Sequence, residues 1–114
     1  MEGKIEQRIN DLHARLQISP AQQSQWDNVT RVMRDNAREM DATFQQRLQA
    51  LPNMTAAENL QSYAKVAAEH AQDMQKLAPA FQALYDTMSD NQKRTADRVF
   101  RADAAQRGDQ AHRG

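Results

Sequence analysis

Apolar positions recur at helical spacing through most of this chain. Between Leu60 and Met88 they fall at Leu60, Tyr63, Ala67, Met74, Leu77, Phe81, Leu84 and Met88, with His70 completing the pattern. The steps alternate three and four residues, a 3.5-residue period that places them along one narrow seam of a helix. A second stripe of matching length runs Trp26, Val29, Met33, Ala37, Met40, Phe44 and Leu48. Two long helices with their seams facing each other are therefore expected at the centre of the fold. A shorter stripe, Ile5, Ile9, Leu12 and Leu16, predicts an amphipathic helix over residues 4–17. Ala96, Val99 and Phe100 mark a last helix after residue 89.

The boundaries carry their own chemistry. In Ile18-Ser19-Pro20-Ala21-Gln22, Pro20 disfavours helical geometry at Ser19 and suits the first turn of a new helix. Ser19 is then the N-cap. Its hydroxyl is expected to accept from the Gln22 N–H while the Gln22 side chain returns to the Ser19 N–H, a capping box. Thr55 with Glu58, and Ser89 with Gln92, repeat that arrangement. Leu51-Pro52-Asn53-Met54 separates the two long stripes and predicts a tight turn between antiparallel helices. Pro79, inside the third helix, removes a bond to the Gln75 carbonyl and predicts a kink. We expect a domain over 4–101, a remnant of expression or of a mature N-terminus at 1–3, and a disordered polar tail at 102–114.

Composition supports the helical reading and narrows the function. With three Gly, three Pro and no alternating stretch, an all-α fold has little competition. Disorder is the other reading of a chain that is 26% charged, but the sustained stripes and ordered start signals argue against it. Only 39% of the 114 residues are hydrophobic, which is lean for a compact core. Fifteen basic residues balance fifteen acidic ones, which argues against nucleic acid as a partner. The absence of cysteine removes disulfides and thiolate chemistry. No stretch is apolar enough to span a membrane, and the first residues lack a signal-peptide core, as in a cytoplasmic protein or a mature exported one. There is no phosphate loop, no nucleophile motif and no convergent carboxylate pair, so we expect no enzyme, no catalytic residue and no cofactor.

The first and third boxes echo each other. They lie 70 residues apart, aligning Ile18 with Met88, Ser19 with Ser89 and Gln22 with Gln92, and Val29 falls on Val99. An apolar residue, Ser or Thr, two variable positions and Gln, occurring twice around a long helical hairpin, resembles the LTxxQ-motif family of Spy and CpxP. The resemblance covers about Leu12 to Arg101, with Ser in place of Thr and Ile or Met in place of Leu. Tyr85 and the run from Gln92-Lys93-Arg94 to Phe100-Arg101 look like that family's closing helix. What the resemblance implies is four helices per chain, built on a long antiparallel hairpin and paired into a thin, curved, cradle-like homodimer. It also implies a periplasmic, ATP-independent chaperone-like protein that holds unfolded or partly folded clients under envelope stress. The alternative it implies is a stress-signalling modulator with a membrane sensor as partner, or a divalent-metal sensor of the same fold.

Client capture needs adaptable apolar contacts, for which methionine is suited. Met33, Met40, Phe44 and Met74 on the seams, with Val32 and Val66 off them, are the candidates. Seam residues are expected mainly in the core, which makes Val32 and Val66 the better surface positions. For a metal, His70 and Met74 lie four apart on one helix face, but His13 stands alone on the first helix and no His-x-x-x-His pair exists. Those three residues fall short of a coordination set, and no metal site is expected.

Overall fold

The helices that open at Ala56 and Asp90 begin where a capping residue and a local apolar stripe coincide. The computed structural model describes residues 2–113, with side chains from residue 3 to residue 103. Among the described residues the chain is all helical: α1 (Glu2–Leu16), a 3₁₀ turn (Pro20–Gln22), α2 (Gln23–Ala50), a second 3₁₀ turn (Leu51–Asn53), α3 (Ala56–Tyr85) and α4 (Asp90–Arg113). The molecule is elongated, measuring 52 × 28 × 23 Å. Pro79 sits inside α3, and the helix continues through it to Tyr85. α4 also continues past Arg101, where the sequence reading ends the domain, as far as Arg113. Residues 102–107, Ala-Asp-Ala-Ala-Gln-Arg, are mostly good helix formers with no proline to stop them.

α1 ends on a left-handed residue, Gln17, at φ 53°. The Gln17 N–H reaches the Ala14 carbonyl at 3.3 Å and the Ile18 N–H reaches that of His13 at 3.4 Å, closing the helix as a glycine would. A side chain in that conformation costs about 1 kcal/mol. The chain thereby turns sharply enough for α2 to fold back on α1.

The core gathers one end of every helix. Ile9, Leu12 and Leu16 of α1, Trp26, Val29 and Met33 of α2, Ala80 and Leu84 of α3, then Met88 and Ala96, form one buried cluster. Leu84 is fully enclosed and Leu16 almost so. Farther from this cluster α2 and α3 run on side by side, joined by polar pairs and by the buried Val66. Asn36 donates to the Asp73 carbonyl at 3.1 Å, Thr43 to Glu69 at 2.7 Å and Arg47 to Asn59 at 2.7 Å. Partner numbers rise on one helix as they fall on the other, so the two run in opposite directions.

The two stripes, expected mainly in the core, are buried at one end and exposed at the other. Leu84 and Met88 are in the core, but Leu60 is 71% and Tyr63 63% exposed, although all four belong to one stripe. The α3 residues facing α2 at the distal end are Asn59, Val66, Glu69 and Asp73, each one position ahead of the stripe. The physical reason is helix geometry. A straight helix turns a seven-residue repeat by about 20° per heptad, hence by about 80° over the four heptads from Leu60 to Met88. One residue corresponds to about 100°, so the accumulated drift nearly matches the observed offset. The α2 stripe behaves likewise, from buried Trp26, Val29 and Met33 to exposed Phe44 and Leu48.

Two leucines of the same stripe should therefore respond differently. Leu84→Ala should lower stability by about 2–5 kcal/mol, whereas Leu60→Ala should stay within about 0.5 kcal/mol, measured by chemical denaturation in dilute solution. Equal losses would show that the stripe is buried throughout.

Candidate functional site

Two features stand out once the helices are assembled: a glutamine clasp at the core end, and an apolar groove where the stripes turn outward.

The clasp joins the two echoing segments. Gln22 Nε2 donates to Gln92 Oε1 at 3.1 Å, and Gln92 Nε2 donates to Gln22 Oε1 at 2.9 Å, a reciprocal carboxamide pair. Each amide also serves the helix starts and ends around it. Gln22 Oε1 accepts from the Ser19 N–H at 3.0 Å, and Gln92 Oε1 accepts from the Ser89 N–H at 2.9 Å. The remaining amide hydrogens go to carbonyls just ahead of the opposite box, Gln22 to Thr87 at 3.0 Å and Gln92 to Leu16 and Gln17 at 3.1 Å. The two halves therefore meet with approximate two-fold symmetry. Gln22 is only 5% exposed, a burial affordable for an amide whose donors and acceptors are all engaged.

Around the clasp, Ser89 caps α4 with its hydroxyl accepting from the Gln92 N–H at 3.2 Å. Thr55 caps α3 in the same way, accepting from the Glu58 N–H at 3.1 Å while Glu58 accepts from the Thr55 N–H at 3.0 Å. That backbone N–H and the Thr55 hydroxyl hold the Glu58 carboxyl below its ordinary range. At Ser19 the first turn is 3₁₀, so the Gln22 N–H reaches the Ser19 backbone carbonyl at 3.0 Å.

The groove has a volume of about 620 Å³ and is walled by all four helices. Ile5 and Leu12 come from α1, Met33 and Met40 from α2, Met74 and Phe81 from α3. Phe81 stacks edge-on against Phe100 of α4 at 4.9 Å, and both rings line the groove. Arg8 and Asp103 form an ion pair between α1 and α4 at the rim.

Several expected site residues take different places from those anticipated. Val66 is 9% exposed and faces α2 rather than solvent, because the turning of the α3 stripe brings the residue ahead of Ala67 into the helix interface. Val32 is half-buried against the core. Met33 is buried but reaches the groove wall, Met40 is half-buried in it, and Met74 and Phe44 are 39% and 40% exposed. His70 joins Met74 in the groove. His13 does not line it; it rests edge-on against Trp26 at 5.5 Å. Sequence reasoning missed the groove's Phe81 and Phe100, as well as the exposed Leu48, Leu51, Leu60 and Tyr63. The signal was the mismatch between a 3.5-residue repeat and a 3.6-residue helix.

Beside the groove, Asp73 is 3% exposed and enters no ion pair among the described residues. Its burial, then the charges of Glu39 and Glu69, push its carboxyl above the ordinary range, with Lys76 and His70 opposing.

Compared with known families, residues 4–100 match a family described as LTXXQ motif family protein. No curated protein and no solved structure matches the chain.

Two experiments check this geometry. Gln22→Ala and Gln92→Ala should each destabilise the fold, and a double-mutant cycle should give a coupling of about 0.5–3 kcal/mol, since each leaves the other amide unpaired. Additive losses would mean that the clasp is incidental. The second concerns pH. Because folding raises the Asp73 pKa, the folded chain takes up that proton at higher pH than the unfolded one, and stability from this group is lost as pH rises through the raised value. Asp73→Asn should stabilise the protein at neutral pH, and its advantage over the wild type should shrink on acidification toward the ordinary value of 3.8. A variant less stable at neutral pH would overturn this account.

Proposed function

The chain belongs to the LTXXQ motif family, and on that footing we propose that it is a periplasmic, ATP-independent chaperone-like protein of the Spy/CpxP kind. It holds unfolded or partly folded proteins and limits their aggregation under envelope stress. The observation that carries this reading is the outward turn of the apolar stripes into an open, methionine-lined groove. Farther along α3, Leu60 and Tyr63 lie exposed on one helix face, and adjoining exposed apolar side chains of that kind mark a surface for a partner. Two further supports are the absence, among the described residues, of any helix long and apolar enough to cross a membrane, and the family's association with the periplasm.

In this reading the long α2–α3 hairpins of two chains pair into a thin, curved cradle, burying the distal apolar residues that one chain alone leaves bare. Clients meet Met40, Met74, Phe44 and the aromatic pair of the groove. Thioether side chains adapt to clients of different shape, so binding is weak and permits folding while the client is held. With equal numbers of acidic and basic residues, capture is apolar, and added salt should weaken it little. No catalysis is assigned.

Light scattering from a chemically unfolded client, diluted with this protein in the absence of ATP and metal, tests the proposal. The expected result is suppression that survives high salt and falls several-fold for Met40→Asp combined with Met74→Asp, with helical content retained. Absence of suppression at excess protein would favour the stress-signalling role.

A further inference from the structure

The groove brings together side chains that the sequence keeps apart. His70 and Met74 lie one turn apart on α3, separated by roughly 6 Å along the axis, and both line the groove. Across from them is Met40 of α2, also on the groove wall. Two hydrogen bonds fix this register: Asn36 to Asp73 at 3.1 Å on one side and Thr43 to Glu69 at 2.7 Å on the other. Met40 is midway between Asn36 and Thr43, so it faces the section of α3 that carries His70 and Met74. Ala37, one turn before Met40, lines the same section and occupies little of it.

We propose that Met40, His70 and Met74 form a binding site for a soft monovalent cation, copper(I) or its analogue silver(I), with two thioether sulfurs and one imidazole nitrogen as ligands. Donor chemistry decides the class of ion. Thioethers bind soft ions and discriminate against hard divalent ones. No group of three His, Cys, Asp or Glu side chains suited to a metal exists among the described residues, so the oxygen-rich or imidazole-rich sets that favour divalent ions are missing there. The three ligands are neutral, and a monocation costs far less to bring into an apolar groove than a dication. Local charge helps as well. Asp73, buried and outside every ion pair of the described residues, faces the same groove, with Glu39 and Glu69 close enough to act on it. These carboxylates offset the charge of a bound cation without ligating it. Met33 lies two turns from Met40, in the core, and is left out of the set. The site rests on the shared groove lining and the fixed helix register and does not depend on client binding.

Silver(I), which undergoes no redox change, is the probe. It would be titrated into the full chain in chloride-free buffer while the methionine methyl signals are followed by NMR. The expected result is saturation at one ion per chain, with the Met40 and Met74 signals moving together and those of Met54 and Met88 staying in place. Copper(I), measured by competition with a chromogenic chelator under reducing conditions, should bind at least about ten-fold more weakly to Met40→Leu, Met74→Leu and His70→Gln. Met54→Leu should bind like the wild type. Methionine-to-leucine changes conserve volume, and unchanged thermal melts would show that the fold is kept. Equal movement of all methionine signals, unaltered affinity in the double variant Met40→Leu/Met74→Leu, or displacement of silver by zinc at similar concentration would each overturn the proposal.

Discussion

The reciprocal amide pair of Gln22 and Gln92 is the contact on which the rest of the architecture depends. Helix ends leave backbone donors and acceptors without partners, and four such ends meet here: the ends of α1 and α3, the start of the 3₁₀ turn that leads into α2, and the start of α4. Two side chains satisfy them jointly, each binding its own N-cap N–H, the other amide, and a carbonyl ahead of the opposite box. The left-handed turn at Gln17 survives in the same place, its carbonyl held by Gln92. With the helix starts locked, Leu16, Leu84 and Met88 can be sealed beside them.

From that fixed end the long helices leave the core and lose their apolar contact gradually. Near the clasp the stripes pack against α1 and α4; further out they rotate away, and polar pairs take over the α2–α3 interface. Thr43 with Glu69 and Arg47 with Asn59 hold the distal arm on either side of Val66. The fold thus separates two duties. Polar pairs and Val66 join the two helices of the arm, while Phe44, Leu48, Leu60 and Tyr63 lie exposed on it. A buried Asp73 outside every ion pair of the described residues is the cost of that division, since burial and the charges of Glu39 and Glu69 disfavour its ionised form.

The groove gives these local facts a shared consequence. It forms because α1 and α4 cover only the inner part of the α2–α3 pair, leaving Met40 and Met74 between a packed floor and open solvent. Phe81 against Phe100 lines it, and Arg8 with Asp103 joins α1 to α4 at its rim. Methionine at such a boundary supplies both an adaptable apolar surface and soft donor atoms. One set of side chains can therefore carry the client reading and the cation site.

Much of this protein is set by its sequence alone. Local chemistry decides the helix starts, because a capping box needs only residues three apart; Thr55 with Glu58 and Ser89 with Gln92 are formed as spacing predicts. The 70-residue echo, the neutral charge balance and the all-helical class were equally legible. Tertiary structure alone decided which side of each stripe is buried. Val66 and Leu60 show why: burial depends on how far a helix has turned relative to a partner many residues away, and a small angular mismatch accumulates over four heptads until inside and outside exchange. The same holds for the pairing of Gln22 with Gln92 and the meeting of Met40 with His70 and Met74. Each residue type is visible in the chain, but their proximity arises only when the separate helices pack.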